Sequence, residues 1–518
     1  MANRAPQFLV DGETRSIARR GGVDQQELEA RTEGILAEIH RFIPGPPVSA
    51  DGDLCILFDS DGGGVDRVSR LPDALLRDIV SRLPIKDAAR TAALSRRWRP
   101  IWRSTPLVLA DTHLLPAGRD EIPARLDLAE SSAVAAAVSH ILAAHPGPFQ
   151  CIRLACSHMD EGHARVARWL QILAVKGVEE LFLINRPCRD TITRHMPATF
   201  FSIAALTRLY LGFWRFPDTA GLPRGAAFPN LRELGLCSVV IESRDIDFIL
   251  ARSPVLEIFC LQGHMYPALH LRLVSHSLRC VQIHWSDVET LTVVDAPCLE
   301  RLILCGYWRK KGKGTRIKIG HAPVLHLFGY FEPENHALHI GNTTIKAGTM
   351  VNGSAMIPSV KILALQVRFG VRNDAKMLPS IFRCFPNVER LHIHSRKTNE
   401  PTGKLNLKFW QEAGAMECIK SHISLLIFHD FRGEKGELAF LKFFIESAKM
   451  LNDLMIVCAN GCSKSEMNSK LHTLFAGKKA SKCCLPQVYE SAVPEGGYPW
   501  NFQRGSDFDP FGYVAALV

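Results

Sequence analysis

The sequence predicts an α/β chain in three parts: an N-terminal three-helix module, an irregular solenoid of short strands, and a small C-terminal α/β segment. Three patterns carry this. Leu71, Leu75, Ile79 and Leu83 recur every fourth residue, with Leu76 and Val80 beside them, which draws one apolar stripe along a helix. From Phe149 onward one phrase keeps returning: apolar, two variable residues, apolar, one variable, apolar. After Leu405, apolar runs lead into a helical pattern at Leu438, Leu441, Phe444 and Ile445. At 518 residues the chain suits two to four units or a repeat array better than one ordinary domain.

In chain order, residues 1–65 form a weakly structured segment with one helix from about Gln25 to Phe42. Pro44, Pro46 and Pro47 end that helix, and Asp51 to Val65 reads as a linker. The module follows at 66–104. Pro72 suits the first helical position and Asp73 complements the helix dipole. Pro84 stops the first helix, because the residue before a proline avoids the α region. Asp87 is expected to cap a second helix carrying Ala88, Thr91, Ala92 and Leu94. A third after Ser95 brings Trp98, Ile101 and Trp102. If it starts at Ser95, Pro100 costs it a hydrogen bond or kinks it. A core built from so few residues is too small to stand alone, so the module must dock on something.

These residues resemble an F-box. The match is Leu71-Pro72-Asp73, the spaced Leu75, Ile79 and Leu83, then Leu83-Pro84-Ile85-Lys86-Asp87-Ala88, and finally Leu94-Ser95-Arg96-Arg97-Trp98 with Trp102. The resemblance implies binding to the Skp adaptor, and through it to cullin, in a Skp–cullin–F-box ubiquitin ligase. It makes Leu71, Pro72, Leu75, Ile79, Leu83, Leu94 and Trp98 the adaptor-facing surface or its immediate support. The plain alternative is a helical hairpin that is simply core.

Residues 105–404 carry the repeats. A short strand is expected at Pro106–Asp111 and an alanine-rich helix at Ser131–Ala144. The phrase then runs through Phe149-Ile152-Leu154, Val178-Leu181-Leu183, Leu206-Leu209-Leu211 and Leu231-Leu234-Leu236. It continues as Leu256-Phe259-Leu261, Leu278-Val281-Ile283 and Leu299-Leu302-Leu304. Leu325-Phe328-Tyr330, Val360-Leu363-Leu365, Val388-Leu391-Ile393 and Ile423-Leu426-Phe428 complete it, with starts 21 to 35 residues apart. That is close to the leucine-rich-repeat range. Val288-Leu291-Val293 is an extra phrase too near its neighbours to be a full repeat. In such a solenoid the inward residues are buried only when the next rung stacks on them. The residues between them should face water on one concave sheet. There Arg208, Tyr210, Ile258, His284, Arg301, Ile303, His392 and His394 are candidates for binding a protein substrate. A rival reading, unrelated strands in an ordinary α/β domain, explains the alternation but not the recurring phrase.

Residues 405–480, with Trp410, Cys418-Ile419-Lys420-Ser421-His422, Phe431-Arg432-Gly433 and a helix from about Lys435 to Met450, resemble the FBD segment of plant F-box proteins. There an apolar strand pair precedes a helix. Residues 481–518 read as a tail. The resemblance as a whole is to plant F-box, leucine-rich-repeat and FBD proteins, and it implies a non-catalytic substrate-recognition subunit. A repeat-based interaction scaffold without ubiquitination is the alternative.

Composition narrows the rest. No apolar run reaches the roughly 18 residues that span a membrane, and the N-terminus lacks the apolar core of a signal peptide. The chain is therefore expected inside the cell, in nucleus or cytoplasm. The cysteines Cys55, Cys151, Cys156, Cys188, Cys237, Cys260, Cys280, Cys298 and Cys305 show no CxxC pairing and read as small buried hydrophobes. Cys458, Cys462, His472, Cys483 and Cys484 fit no familiar zinc spacing. No nucleophile elbow, HExxH or phosphate loop is present, so no catalytic residue, metal or cofactor is expected. The net charge of +10 is mostly dispersed; its densest run, Trp308 to Lys318, reads as a solvated loop or hairpin. An import signal or nucleic-acid patch is the alternative there.

Overall fold

A computed structural model describes residues 33–37, 39–40, 43–44, 47, 67–115, 126–159, 163–186, 194–223, 225–307, 314–398, 405–481 and 484–490. It divides into two compact units that meet in sequence after Pro267. No helix among the described residues is long and apolar enough to cross a membrane.

The first unit opens with the three-helix module: α1 (Asp73–Ser81), α2 (Ile85–Thr91) and α3 (Trp98–Ser104). Each start differs slightly from the expectation. Pro72 sits one place earlier, as the N-cap, and Pro84 caps α2, which leaves Asp87 in the first turn. Helix α3 begins at Trp98 rather than Ser95, so Pro100 lies within its first turn. The missing N–H there would have had no intrahelical partner anyway, and the expected kink disappears.

Strands β1 (Leu107–Ala110), β2 (Phe149–Leu154), β3 (Glu180–Ile184), β4 (Arg208–Gly212), β5 (Glu233–Cys237) and β6 (Ile258–Gln262) then stack in parallel, in sequence order. Helices α4 (Leu128–Ala144), α5 (His163–Lys176) and α6 (Ser243–Arg252) return the chain between rungs. Asp127 and Glu130 close a capping box at the start of α4, each bonding the other's backbone N–H at 2.7 and 3.0 Å. The register aligns the phrase in columns: Ile152, Leu181, Leu209, Leu234 and Phe259 lie side by side, as do Leu154, Leu183, Leu211, Leu236 and Leu261. All are buried. Buried Asp111 ties the end of β1 to the turn after β2, accepting from the backbone N–H of Ala155 and Cys156 (2.9 and 2.7 Å) and from the Ser157 hydroxyl (3.1 Å).

The second unit holds two sheets. In one, β8 (Cys280–Ser286), β10 (Arg301–Tyr307), β12 (Leu327–Phe331), β15 (Ile362–Val367), β16 (Arg390–Ser395), β17 (Leu425–Phe431), β18 (Asp453–Cys458) and β19 (Leu485–Tyr489) run parallel in that order. The other is formed by β7 (Leu269–Val274), β9 (Val288–Asp295), β11 (Thr315–His321), β13 (His336–Ile340) and β14 (Thr343–Ile345), with β14 antiparallel. Here the extra phrase at Val288 finds its place. It is a genuine strand, but of the other sheet, so rungs in this stretch return through a strand instead of a helix. The basic run is not a hairpin either: Thr315–Lys318 belongs to β11, which pairs with β9 and β13, whereas β10 pairs with β8 and β12. Residues 308–313 lie outside the described set, as do the linker at 51–65 and the first part of the expected helix at 25–42.

The C-terminal segment also differs from its expected order. Helix α10 (Lys435–Ser447) stands between β17 and β18 rather than after a strand pair, because β17 and β18 are parallel and need a crossover. Helices α7 (Arg372–Cys384), α8 (Leu407–Glu412), α9 (Glu417–Ser421) and α11 (Lys464–Phe475) complete the unit. The sheet runs on from β16 into β17, β18 and β19, so Leu485–Tyr489 is a strand and not tail. Buried Glu437 pins α10 to β16, accepting from the Ser395 hydroxyl at 2.5 Å and the backbone N–H of Arg432 at 3.0 Å.

Among the described cysteines, Cys151, Cys156, Cys237, Cys280 and Cys305 are buried as expected, and burial pushes the Cys237 thiol up to about 12. Two depart from the expectation: Cys260 is only half-buried, and Cys298 is exposed in the turn before β10. Cys458 is buried in β18 and Cys462 half-buried beyond it. No three His, Cys, Asp or Glu side chains among the described residues converge as a metal would require.

Candidate functional site

The helical module has two faces. Leu76 and Val80 of α1 turn inward with Ile85, Ala88, Trp98 and Ile101, all nearly solvent-free. Trp98 is therefore support and not surface. Against the first rung, Lys86 donates to the Leu115 carbonyl at 3.1 Å, and the Trp102 ring meets His145 edge-on at 4.9 Å. The opposite face stays in water: Leu75 is 51% exposed, Ile79 36% and Leu94 67%, with Pro72 exposed and Leu71 and Leu83 half-buried. Leu75 and Ile79 share one side of α1, one turn apart. Arg97 brings the Leu94 end beside them. Its guanidinium donates to Asp73 Oδ1 at 2.7 and 3.1 Å and to the Leu71 carbonyl at 2.6 Å.

The strand face expected in water is instead largely filled. In the first unit Arg153, Phe182, Tyr210 and Gly235 occupy one register row. The Arg153 guanidinium lies 5.1 Å over the Phe182 ring, and Phe182 stacks on Tyr210 at 5.1 Å with 14° between planes. Gly235 makes room for the tyrosine, since a Cβ there would meet its ring at 2.2 Å. The Tyr210 hydroxyl donates to buried Glu233, which also accepts from Arg208 Nε at 2.8 Å. Residues before the module add to the cover: Ile35, Leu36, Ile39 and Ile43 are buried, Glu33 pairs with Arg186, and Arg153 donates to the Pro44 carbonyl. Tyr210 and Ile258 are thus packing residues, and Arg208 is half-buried between Glu180 and Glu233.

The same correction holds in the second unit. Ile303, His284 and His392 are buried, while Arg301 and His394 are half-buried. His392 stacks on His429 across neighbouring strands at 6.1 Å, and Leu425, Ile427, Met455 and Tyr489 form an apolar cluster on the last rungs. His394 donates to Asp430 at 2.7 Å. With the Gln366 amide turned to donate to Glu332 at 2.6 Å, its oxygen accepts from His394 Nδ1 (3.1 Å) and Arg396 Nε (2.9 Å). The eight expected residues do not assemble into one exposed surface. Sequence reading passed over Arg153, Phe182, Gln366 and Asp430. The signal for the first two was present, since each holds the place in its own phrase that Tyr210 holds in the next.

Burial on this strand face has a pH consequence. Burial pushes His429 down to about 4 and His284 down to about 3, so both are neutral in the folded chain. In the unfolded chain they take protons near 6.5. Their stabilisation is complete above pH 6.5 and is lost as pH falls through the window from 6.5 towards 4, at up to about 1.4 kcal/mol per pH unit for each histidine. The His429→Asn variant is expected to show a shallower loss of Tm than the parent between pH 6.5 and 4.5. Identical slopes would remove His429 from this account.

Taken together, the fold and site define a repeat protein that hides its leucines in stacked rungs and leaves a small helical module open for docking. Comparison with known proteins agrees. The F-box domain model matches residues 68–109, the model described as FBD-associated F-box protein At5g56370, LRR repeats, matches 166–393, and the FBD model matches 411–456. Among relatives from Arabidopsis thaliana, F-box/LRR-repeat protein 13 is 23% identical over 80% of this chain and 94% of its own length. F-box/FBD/LRR-repeat protein At2g04230 is 25% identical over 70% of each chain, and F-box/LRR-repeat protein At3g03360 is 31% identical over 37% of each. The chain carries an F-box, a leucine-rich-repeat region and an FBD segment, and its relatives are Arabidopsis F-box proteins with such repeats or such a segment. Such proteins generally serve as non-catalytic substrate adaptors, their F-box binding a Skp-type adaptor.

Proposed function

We propose that this chain is the substrate-recognition subunit of a Skp–cullin–F-box ubiquitin ligase. What supports this reading is the exposure of Leu75, Ile79 and Leu94 on one module, in a chain that buries the leucines of every described rung. An apolar face held in water beside a folded array marks a partner site. On this reading Leu71, Pro72 and Leu83 rim the adaptor surface and Trp98 holds it in shape from below. The chain supplies proximity, positioning a substrate lysine near ubiquitin carried by other subunits. The repeats take the protein substrate, and the complex works inside the cell, in nucleus or cytoplasm. The test is to co-express the full chain with a Skp-type adaptor and a cullin and to isolate the complex. In parallel, proteins are sought that accumulate when Leu71 and Pro72 are replaced by alanine. Co-purification of the adaptor with the parent chain, lost in the variant, is expected. A parent chain that captures no adaptor would overturn the reading.

A further inference from the structure

The sheet β7–β9–β11–β13 of the second unit buries one face only. Leu269, Leu271, Leu273, Leu291, Val293, Ile317, Ile319 and Leu338 point inward, while the alternate residues point to water. All-parallel sheets are usually covered on both sides. The open side here carries aligned cations. Arg272, Thr292, Lys318 and His339 occupy one register row across the four strands, and His270, Thr290 and Arg316 occupy the next. With strands about 4.8 Å apart, Arg272 and Lys318 stand roughly 10 Å apart with a threonine between them. Neither has an acidic partner among the described residues, and both are exposed. Arg316 pairs with Glu289 at 3.2 Å, and the acid at the far end, Asp295, is taken by His321 at 2.7 Å. Burial, and after it the charges of Lys318 and Arg316, hold His339 below its usual value. Val274 and Val294 stand exposed at the C-terminal ends of β7 and β9.

We infer that this outer sheet face is a docking surface for an acidic protein segment that carries an aliphatic anchor. Two unpaired cations and threonine hydroxyls suit carboxylates, and the valines at the strand ends suit the anchor. Among the described residues this face shows no Phe, Tyr or Trp on which bases could stack, which favours a peptide over single-stranded nucleic acid. This surface belongs to the second unit and the adaptor-binding module to the first, so the inference can hold or fail independently of the ligase reading.

The experiment uses the full chain and a fluorescein-labelled twelve-residue peptide of glutamates with a central Val-Ile pair. The same peptide with glutamine for glutamate and a dT12 oligonucleotide are the comparisons, all followed by anisotropy at about 0.1 M salt. The acidic peptide is expected to bind, the glutamine peptide not. Arg272→Glu with Lys318→Glu should weaken binding at least tenfold, Arg272→Gln with Lys318→Gln should weaken it less, and Lys376→Glu on α7 should leave it unchanged. Circular dichroism and Tm confirm that each variant is folded. Absence of peptide binding, or equal binding by parent and the double Glu variant, overturns the proposal. Binding of dT12 alone, abolished by the double Glu variant, overturns it in favour of a nucleic-acid surface.

Discussion

Leu234→Asp, or Leu302→Asp, is expected to leave its repeat unit unfolded or aggregated at 25 °C. Each leucine is fully buried in the middle column of its sheet, flanked by register neighbours: Leu209 and Phe259 for Leu234, Val281 and Phe328 for Leu302. Cutting such a side chain to alanine costs about 2–5 kcal/mol through lost transfer energy and the cavity left behind. An aspartate adds the cost of an unpaired carboxylate among hydrocarbon, so the total exceeds about 5 kcal/mol. That is comparable with the roughly 5–15 kcal/mol that holds an ordinary domain folded, and in a stacked array the damage reaches both neighbouring rungs. Arg232→Ala is the proper control. Its side chain is 64% exposed and, among the described residues, pairs with Glu257 at the surface, so a change within about 0.5 kcal/mol is expected. Glu233 is not a neutral control despite its place on the other strand face. It is buried and bonded to both Tyr210 and Arg208, and its loss should cost about 1–3 kcal/mol. Thermal unfolding of the three variants decides: equal damage from Leu234→Asp and Arg232→Ala would mean that the strands are read in the wrong register.

That contrast shows what the sequence could and could not reveal. The inward columns were legible because burial there is dictated locally: a short strand has one face that must meet the next rung, and only apolar residues serve. The three-helix module was legible for a similar reason, its order of Leu, Pro, Asp and Trp fixing three short helices and their ends to within a few residues. The second face of the strands was not. Whether Tyr210 or Ile303 meets water depends on what lies across the row, such as Phe182 stacked upon Tyr210 or Gly235 making room for it, and on residues distant in sequence such as Ile39 and Pro44. Nothing in the Leu-Tyr-Leu phrase itself carries that information. Strand β7 was missed for another reason. Leu269, Leu271 and Leu273 alternate strictly with His270, Arg272 and Val274, yet they lack the two-residue gap of the repeating phrase, so a search for the phrase passes over them. A plain period-two reading would have found the strand and, with it, the exposed basic face.

Leu75→Asp with Ile79→Asp is expected to abolish capture of the Skp-type adaptor while leaving the chain folded. Both side chains already reach water, so carboxylates there stay hydrated in the free chain, and stability should move by no more than about 0.5 kcal/mol per site. In the complex the same carboxylates would be sealed against an apolar partner. Truncating a leucine at an interface hot spot commonly costs about 2 kcal/mol or more, roughly thirtyfold in affinity, and an unpaired buried charge costs more again. Two such sites together place the loss beyond a thousandfold, outside the range of a pulldown. Leu76→Asp, one residue along the same helix, separates binding from folding. Leu76 is fully buried beneath α1, so this variant should lose the module itself, seen as lost helical signal and a lowered Tm as well as lost adaptor. If the Leu75/Ile79 variant melts as early as Leu76→Asp, those residues are core and the docking surface lies elsewhere. If it remains folded and still co-purifies with the adaptor, the exposed face of α1 is not where the adaptor binds.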